Sequence, residues 1–243
     1  SFPTRRSSDL TLANPKKGPR IKEDMSSLGI IEDGSIWIED GIIKAIGTTE
    51  QLEKQYGWKS QHAEIIDASN HLITPGLVDP HTHVVFAGSR ENEYEMRLSG
   101  ISYMEIMNRG GGIHATTTMT RKASYEELYD ETRKRLDSFL EHGVTTIEGK
   151  SGYGLELETE LKQLEVMKKL QESHPIDIVP TFMGAHAIPR QFSGREDEFV
   201  KIICEEMIPK VAEKKLARFN DVFCEKGVFT PEQSEKILEA GKK

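Results

Sequence analysis

Cysteine is scarce in this chain. Cys204 and Cys224 are its two cysteines in 243 residues, too few for a disulfide framework, so a reducing cytoplasm is the expected compartment. Long apolar runs are also missing: no stretch approaches the roughly twenty apolar residues of a helical bilayer span. The N-terminus lacks the basic head, apolar stretch and small-residue cleavage site of a secretory signal. An excess of basic charge is lacking too. Lys+Arg 32 against Asp+Glu 40 leaves −8, which argues against nucleic acid or an anionic membrane as partner. No internal repeat, low-complexity tract or dinucleotide-type glycine fingerprint occurs. What remains is an ordinary globular composition, 36% hydrophobic and 30% charged, in a chain long enough for a large core.

Both ends of the chain stand apart. Residues 1–10, Ser1-Phe2-Pro3-Thr4-Arg5-Arg6-Ser7-Ser8-Asp9-Leu10, match neither neighbouring pattern and read as a foreign leader. The sequence stops at Gly241-Lys242-Lys243, straight after a helix, and reads as cut short.

Residues 11–74 are strand-like. Runs at 35–39, 42–46 and 64–67 are rich in β-formers, and Asp33-Gly34 and Asp40-Gly41 are hairpin-turn signals. This predicts a small β-domain that closes at Pro75-Gly76. Residues 75–243 then alternate strand and helix, with strands expected at 77–86, 144–148, 177–182 and 221–223. Ser124 with Glu127 is a capping box, and Tyr125, Leu128, Thr132, Leu136, Phe139 and Leu140 follow at helical spacing up to Gly143. Leu157, Leu161, Leu164 and Leu170 make a second stripe. Phe199, Ile202, Ile203 and Val211 make a third, bent or broken near Pro209. Thr230-Pro231 opens a fourth helix. Repeated βα units imply a parallel sheet with outer helices. Four such units are half of a TIM-like (β/α)8 barrel, and a doubly wound open sheet is the alternative. The missing dinucleotide fingerprint favours the barrel.

Chemistry is concentrated after the expected strands. His81 and His83 end the first, in Pro75-Gly76-Leu77-Val78-Asp79-Pro80-His81-Thr82-His83. Residues i and i+2 of a strand share a face, roughly 7 Å apart at Cα, so two imidazoles there converge and can grip one divalent ion. Two surface histidines would show the same spacing; the Pro75-Gly76 and Asp79-Pro80 steps favour metal. Arg90 follows in Gly88-Ser89-Arg90, Tyr153 lies after the second strand, and His186 after the third. Their coincidence on one rim matters more than any single placement.

These blocks, with Gly110-Gly111-Gly112-Ile113, Lys150-Ser151-Gly152-Tyr153-Gly154-Leu155 and Phe182-Met183-Gly184-Ala185-His186-Ala187-Ile188-Pro189, resemble the imidazolonepropionase family of the amidohydrolase superfamily. The likeness runs over nearly everything after residue 10. The resemblance implies a barrel half preceded by part of a composite β-sandwich. It implies metal-dependent hydrolysis of 4-imidazolone-5-propanoate to N-formimidoyl-L-glutamate in histidine catabolism, with zinc or iron as cofactor and a homodimer as assembly. It further implies His81 and His83 as metal ligands, with Arg90 on the substrate's propionate. Tyr153 would hydrogen-bond substrate or product, and His186 would contact the ring. The family's remaining ligands, a His and an Asp, and its Glu general base fall beyond Lys243, so the chain alone is expected to be inactive. Lys150 sits on the second strand, the wrong place for the carboxylated lysine of two-metal relatives, and Glu148 reads as rim support. Two other readings stay open: another amidohydrolase, dihydropyrimidinase-like or an aminohydrolase, and a non-catalytic binding or scaffold protein.

Overall fold

The turn at Asp40-Gly41 closes a hairpin, as its composition predicts. In the computed structural model of the protein these residues hold φ of 52° and 74°, the left-handed pair that a tight hairpin needs. They join β3 (Ile30–Glu39) to β4 (Ile42–Thr48). Residues 4–5, 7–11, 20–57, 63–102, 105–106 and 110–243 are described; residues 1–3 and 6 of the expected leader lie outside them. The second expected turn, Asp33-Gly34, is not a turn. Asp33 keeps a positive φ of 53° but sits inside β3, opposite a register shift between Ser7 and Asp9 of β2 (Ser7–Leu10). The left-handed residue is absorbed as a bulge instead of reversing the chain.

The chain divides into two units, Ser1–Gly76 and Leu77–Lys243. The first holds a four-stranded sheet in the order β4-β3-β2-β6, and a two-stranded pair of β1 (Thr4–Arg5) with β5 (Ile66–Asp67). β6 is Leu72–Ile73. A short helix missing from the sequence reading, α1 (Thr49–Tyr56), follows β4 behind a capping box of Thr48 and Gln51. Trp37 of β3 is buried and stacks on Tyr56 at 5.5 Å.

The second unit is built on a curled parallel sheet in the order β10-β9-β8-β7. Its strands are β7 (Leu77–Thr82), β8 (Val144–Lys150), β9 (Asp177–Ala185) and β10 (Phe219–Val222). All four differ from expectation by more than a residue: β8 and β9 run on, β10 starts two residues early, and β7 is short. β7 was expected to reach residue 86 and stops at Thr82, because Pro80 donates no hydrogen bond and the register against β8 breaks between Asp79 and Thr82. The backbone beyond it is held by side chains. Gln163 Nε2 donates to Val85 O at 2.7 Å, and Arg135 donates to Val84 O and Phe86 O at 3.1 and 2.9 Å.

The helices are α2 (Glu91–Leu98), α3 (Ile113–Lys122), α4 (Tyr125–Glu141) and α5 (Leu157–Ser173). After them come α6 (Glu196–Ile202), α7 (Ile208–Glu213) and α8 (Pro231–Lys242). The break expected at Pro209 takes the form of a π-turn, Ile203–Met207, between α6 and α7. Proline cannot donate to the carbonyl four residues back and its ring presses on it, so the turn before it widens. Leu128 and Leu136 of α4, Leu164, Met167 and Leu170 of α5, and Ile147, Ile178 and Phe182 of the strands form the buried core. That layer fixes the strand ends from which the chemistry projects. Among the described residues no helix is long and apolar enough to cross a membrane.

Candidate metal and substrate site

The C-terminal ends of β7, β8 and β9 bring four of the expected residues together. The rings of His81 and His83 lie 5.6 Å apart. His83 also stacks on His186 at 4.2 Å, nearly parallel, and lies 5.1 Å from Tyr153. Tyr153 and His186 are 5.5 Å apart, and Phe86 closes one side of the tyrosine at 6.0 Å. Arg90 stands at the start of α2, half in solvent, 3.8 Å from Glu93. Burial pushes the Tyr153 hydroxyl above its usual range, and the positive charge of Arg90 pulls against it.

Hydrogen bonds orient the imidazoles. His83 Nδ1 lies 2.8 Å from the Ser151 carbonyl and His186 Nδ1 lies 3.0 Å from the Gly152 carbonyl. A carbonyl only accepts, so each ring carries its proton on Nδ1 and leaves Nε2 with a free lone pair. Burial, and then the neighbouring His186, lower the His83 pKa to about 3. His186 is lowered as well, mainly by burial. Both rings are therefore neutral at pH 7, the state in which an imidazole binds metal.

Beneath the rings runs an ionic cluster only partly anticipated. Lys150 Nζ lies 2.7 Å from Glu148 Oε1 and 2.9 Å from Asp221 Oδ2, and Thr181 Oγ1 donates to Glu148 Oε1 at 2.6 Å. Burial would lower the Lys150 pKa, but the hydrogen bonds and charges of Glu148 and Asp221 more than offset it and leave it raised. Lys150 is thus an ammonium committed to two carboxylates, and Glu148 supports the strand ends as expected. Asp221 escaped the sequence reading; an acid between the hydrophobic ends of a short strand was the available signal. Thr82 Oγ1 adds a tie across the sheet to Glu148 O at 2.8 Å.

His81 and His83 suit a divalent ion as part of a ligand set: their rings lie 5.6 Å apart, and the His83 ring is neutral with its tautomer fixed by Ser151. Among the described residues no three His, Cys, Asp or Glu side chains gather as a complete set. A catalytic zinc normally takes three protein ligands, so this pair is not sufficient by itself.

Comparison with known proteins places this geometry in context. No protein-family model matches the chain. It is 63% identical over 231 residues to a curated protein named imidazolonepropionase from Brevibacillus brevis, covering 95% of this chain and 54% of that protein. The chain therefore spans about half the length of the curated relatives it matches. Among solved structures it resembles guanine deaminase of E. coli, with a TM-score of 0.60, 17% identity, and coverage of 98% of this chain and 50% of the other. A zinc complex of an Arthrobacter aurescens atrazine chlorohydrolase variant gives a TM-score of 0.53 at 14% identity, covering 98% of this chain and 49% of the other. These two likenesses concern the fold alone.

Proposed function

The chain belongs by sequence with the imidazolonepropionases, and on that footing we propose that the complete protein hydrolyses 4-imidazolone-5-propanoate to N-formimidoyl-L-glutamate. The observation that supports this most is the convergence of His83, Tyr153 and His186, from three successive βα loops, at ring separations of 4.2 to 5.5 Å. In this reading one water is added across a ring C–N bond, which breaks to open the imidazolone.

Each residue has a task in that step. His81 and His83 hold the ion, zinc or iron, through neutral imidazole nitrogens, which suit both metals. The ion when bound supplies Lewis acidity and a nucleophile at neutral pH. Arg90 offers a planar guanidinium to the propionate, matched to two carboxylate oxygens. Tyr153 hydrogen-bonds substrate or product through a hydroxyl kept protonated by its surroundings. His186 presents its side-chain edge to the ring and helps polarise the carbonyl. The general base lies outside these residues, so the 243-residue chain alone is inactive.

The fold reading goes with it. The four βα units form the first half of a (β/α)8 barrel. Residues 11–74 contribute to a composite β-sandwich, but the leader expected over residues 1–10 is not separate from it, because β2 (Ser7–Leu10) pairs with both β3 and β6 and β1 (Thr4–Arg5) pairs with β5. The assembly is a homodimer, and the two free thiols suit the cytoplasm.

The test is turnover by the complete, metal-loaded protein, followed as loss of imidazolone absorbance and appearance of formimidoyl-glutamate. His83→Ala should abolish it. Activity confined to a pyrimidine ring would replace this reading with the dihydropyrimidinase-like one.

A further inference from the structure

We propose that Glu160 is a positioning residue for this site: its carboxylate aims the two backbone carbonyls that orient His83 and His186. The inference rests on the reading of the site given above. Glu160 lies in the first turns of α5 and is wholly buried. A carboxylate is put there only against a large desolvation cost, so its partners must be good ones. They are all on the loop that follows β8. Oε2 accepts from Gly152 N–H at 2.9 Å, and Oε1 accepts from Gly154 and Leu155 N–H, each at 2.8 Å. Ser151 adds its hydroxyl. Burial pushes the Glu160 pKa up, against the downward pull of those four donors. Among the described residues no cation pairs with Glu160, so the compensation comes from peptide N–H groups and one hydroxyl. Those are the groups whose direction decides the path of the loop.

The peptide plane makes the link. Gly152 N–H and Ser151 C=O belong to one trans peptide, in which the two bonds point in opposite directions. With the N–H turned to Glu160, the carbonyl is driven the other way, onto His83 Nδ1. The next carbonyl, Gly152 O, meets His186 Nδ1. A single buried acid thus acts through one peptide on the tautomer and aim of a metal-ligating ring, and by holding the N–H groups of Gly152 and Gly154 it brackets the carbonyl that meets the ring facing substrate. The backbone shows the demand. Gly152 has φ of 110° and Leu155 has φ of 52°, conformations that turn successive N–H groups inward. At Gly152 a Cβ would come within 2.8 Å of both His186 Cβ and Met183 O, so no larger residue fits without moving His186. The rest of the loop is tied to β9: Ser151 N–H donates to Thr181 O at 3.0 Å, and Met183 N–H donates to Ser151 Oγ at 2.9 Å.

The experiment is Glu160→Gln in the complete protein. The amide keeps the shape but offers one acceptor oxygen and sets an NH2 against a peptide N–H. Zinc affinity, measured by chelator competition, should weaken about tenfold, the lower end of what loss of a ligand's supporting partner costs. In the metal-free protein, the low-field Nδ1–H resonance of His83 should move or broaden while the unfolding temperature stays within a few degrees. A merely structural role would leave that resonance and the zinc affinity of the folded variant unmoved, and that result overturns the inference. If Glu160→Gln fails to fold, Ser151→Ala removes one of the four donors and should shift both readouts in the same direction by a smaller amount; no shift overturns the inference. A wild-type protein that binds neither zinc nor iron ends the functional reading, whereas the His83 resonance still decides the role of Glu160.

Discussion

Lys150 is 4% exposed, and its ammonium is shared between Glu148 and Asp221, so its removal leaves two carboxylates facing each other with no cation between them. Breaking a buried pair by deleting one partner costs about 3–5 kcal/mol, and Asp221 is wet enough to place Lys150→Met near 3. The pH dependence has a definite sign. Burial raises the Asp221 pKa, but Lys150, the Val222 N–H and His81 bring it below its ordinary 3.8, so its contribution is present above that value and lost as pH falls through the folded one. Lys150 is raised above 10.5, so its contribution holds below that value and is lost as pH rises past the folded one. Thermal unfolding of wild type and Lys150→Met should therefore differ most between these limits, and the gap should close on the acid side as the stranded carboxylates take up protons. A gap that persists undiminished at pH 3 would place the loss in packing rather than charge.

At the scale of elements, what could be read from sequence was what local chemistry decides. Ser124 with Glu127 starts α4 as expected: Ser124 N–H donates to Glu127 Oε2 at 2.8 Å and Glu127 N–H donates to Ser124 Oγ at 3.1 Å. Thr230 with Gln233 does the same for α8, and the Pro209 break appears as a π-turn. The errors arose where tertiary contacts overrode a local signal. Asp33-Gly34 looks like a turn but serves as a bulge because β2, far away in sequence, pairs across it. Residues 84–86 look like strand because they are apolar, yet Arg135 and Gln163 take up their carbonyls. This second case yields a prediction. Arg135 makes two charge-assisted hydrogen bonds to that segment and stacks on Phe86 at 3.7 Å. Arg135→Ala should cost about 2–3 kcal/mol in denaturant unfolding. Because His83 adjoins the segment, the variant should also weaken metal binding in the complete protein, whereas Ser124→Ala should cost about 1 kcal/mol at the far end of α4 and leave metal binding alone. Equal effects on metal binding would refute the claim that the segment is held by Arg135.

Over the whole molecule, the candidate site was legible to the extent that it lies on loops after parallel strands. His81, His83, Tyr153 and His186 meet because β7, β8 and β9 are neighbours in order, and strand order follows from the βα repeat. Glu160 was not legible, because nothing in its neighbourhood distinguishes an inward acid from the many solvated ones; it shares its stretch with Glu156 and Glu158. The sheet edge tells the same story from outside. Leu77 and Val78 on β7 are 56% and 63% exposed, although strands of a parallel sheet are ordinarily covered on both faces. Two imidazoles and an exposed apolar edge together define the expected behaviour of this chain against that of the complete protein. Two nitrogen ligands fall short of the three that catalytic zinc normally takes, so zinc bound to the 243-residue chain should be lost on dialysis. The complete protein should retain one metal per chain. Elemental analysis after exhaustive dialysis checks both, with size-exclusion chromatography to report self-association through the exposed edge. Stoichiometric metal retained by the 243-residue chain would mean that the ligand set is completed by its own residues, and that the residues assigned here to the site are not the whole of it.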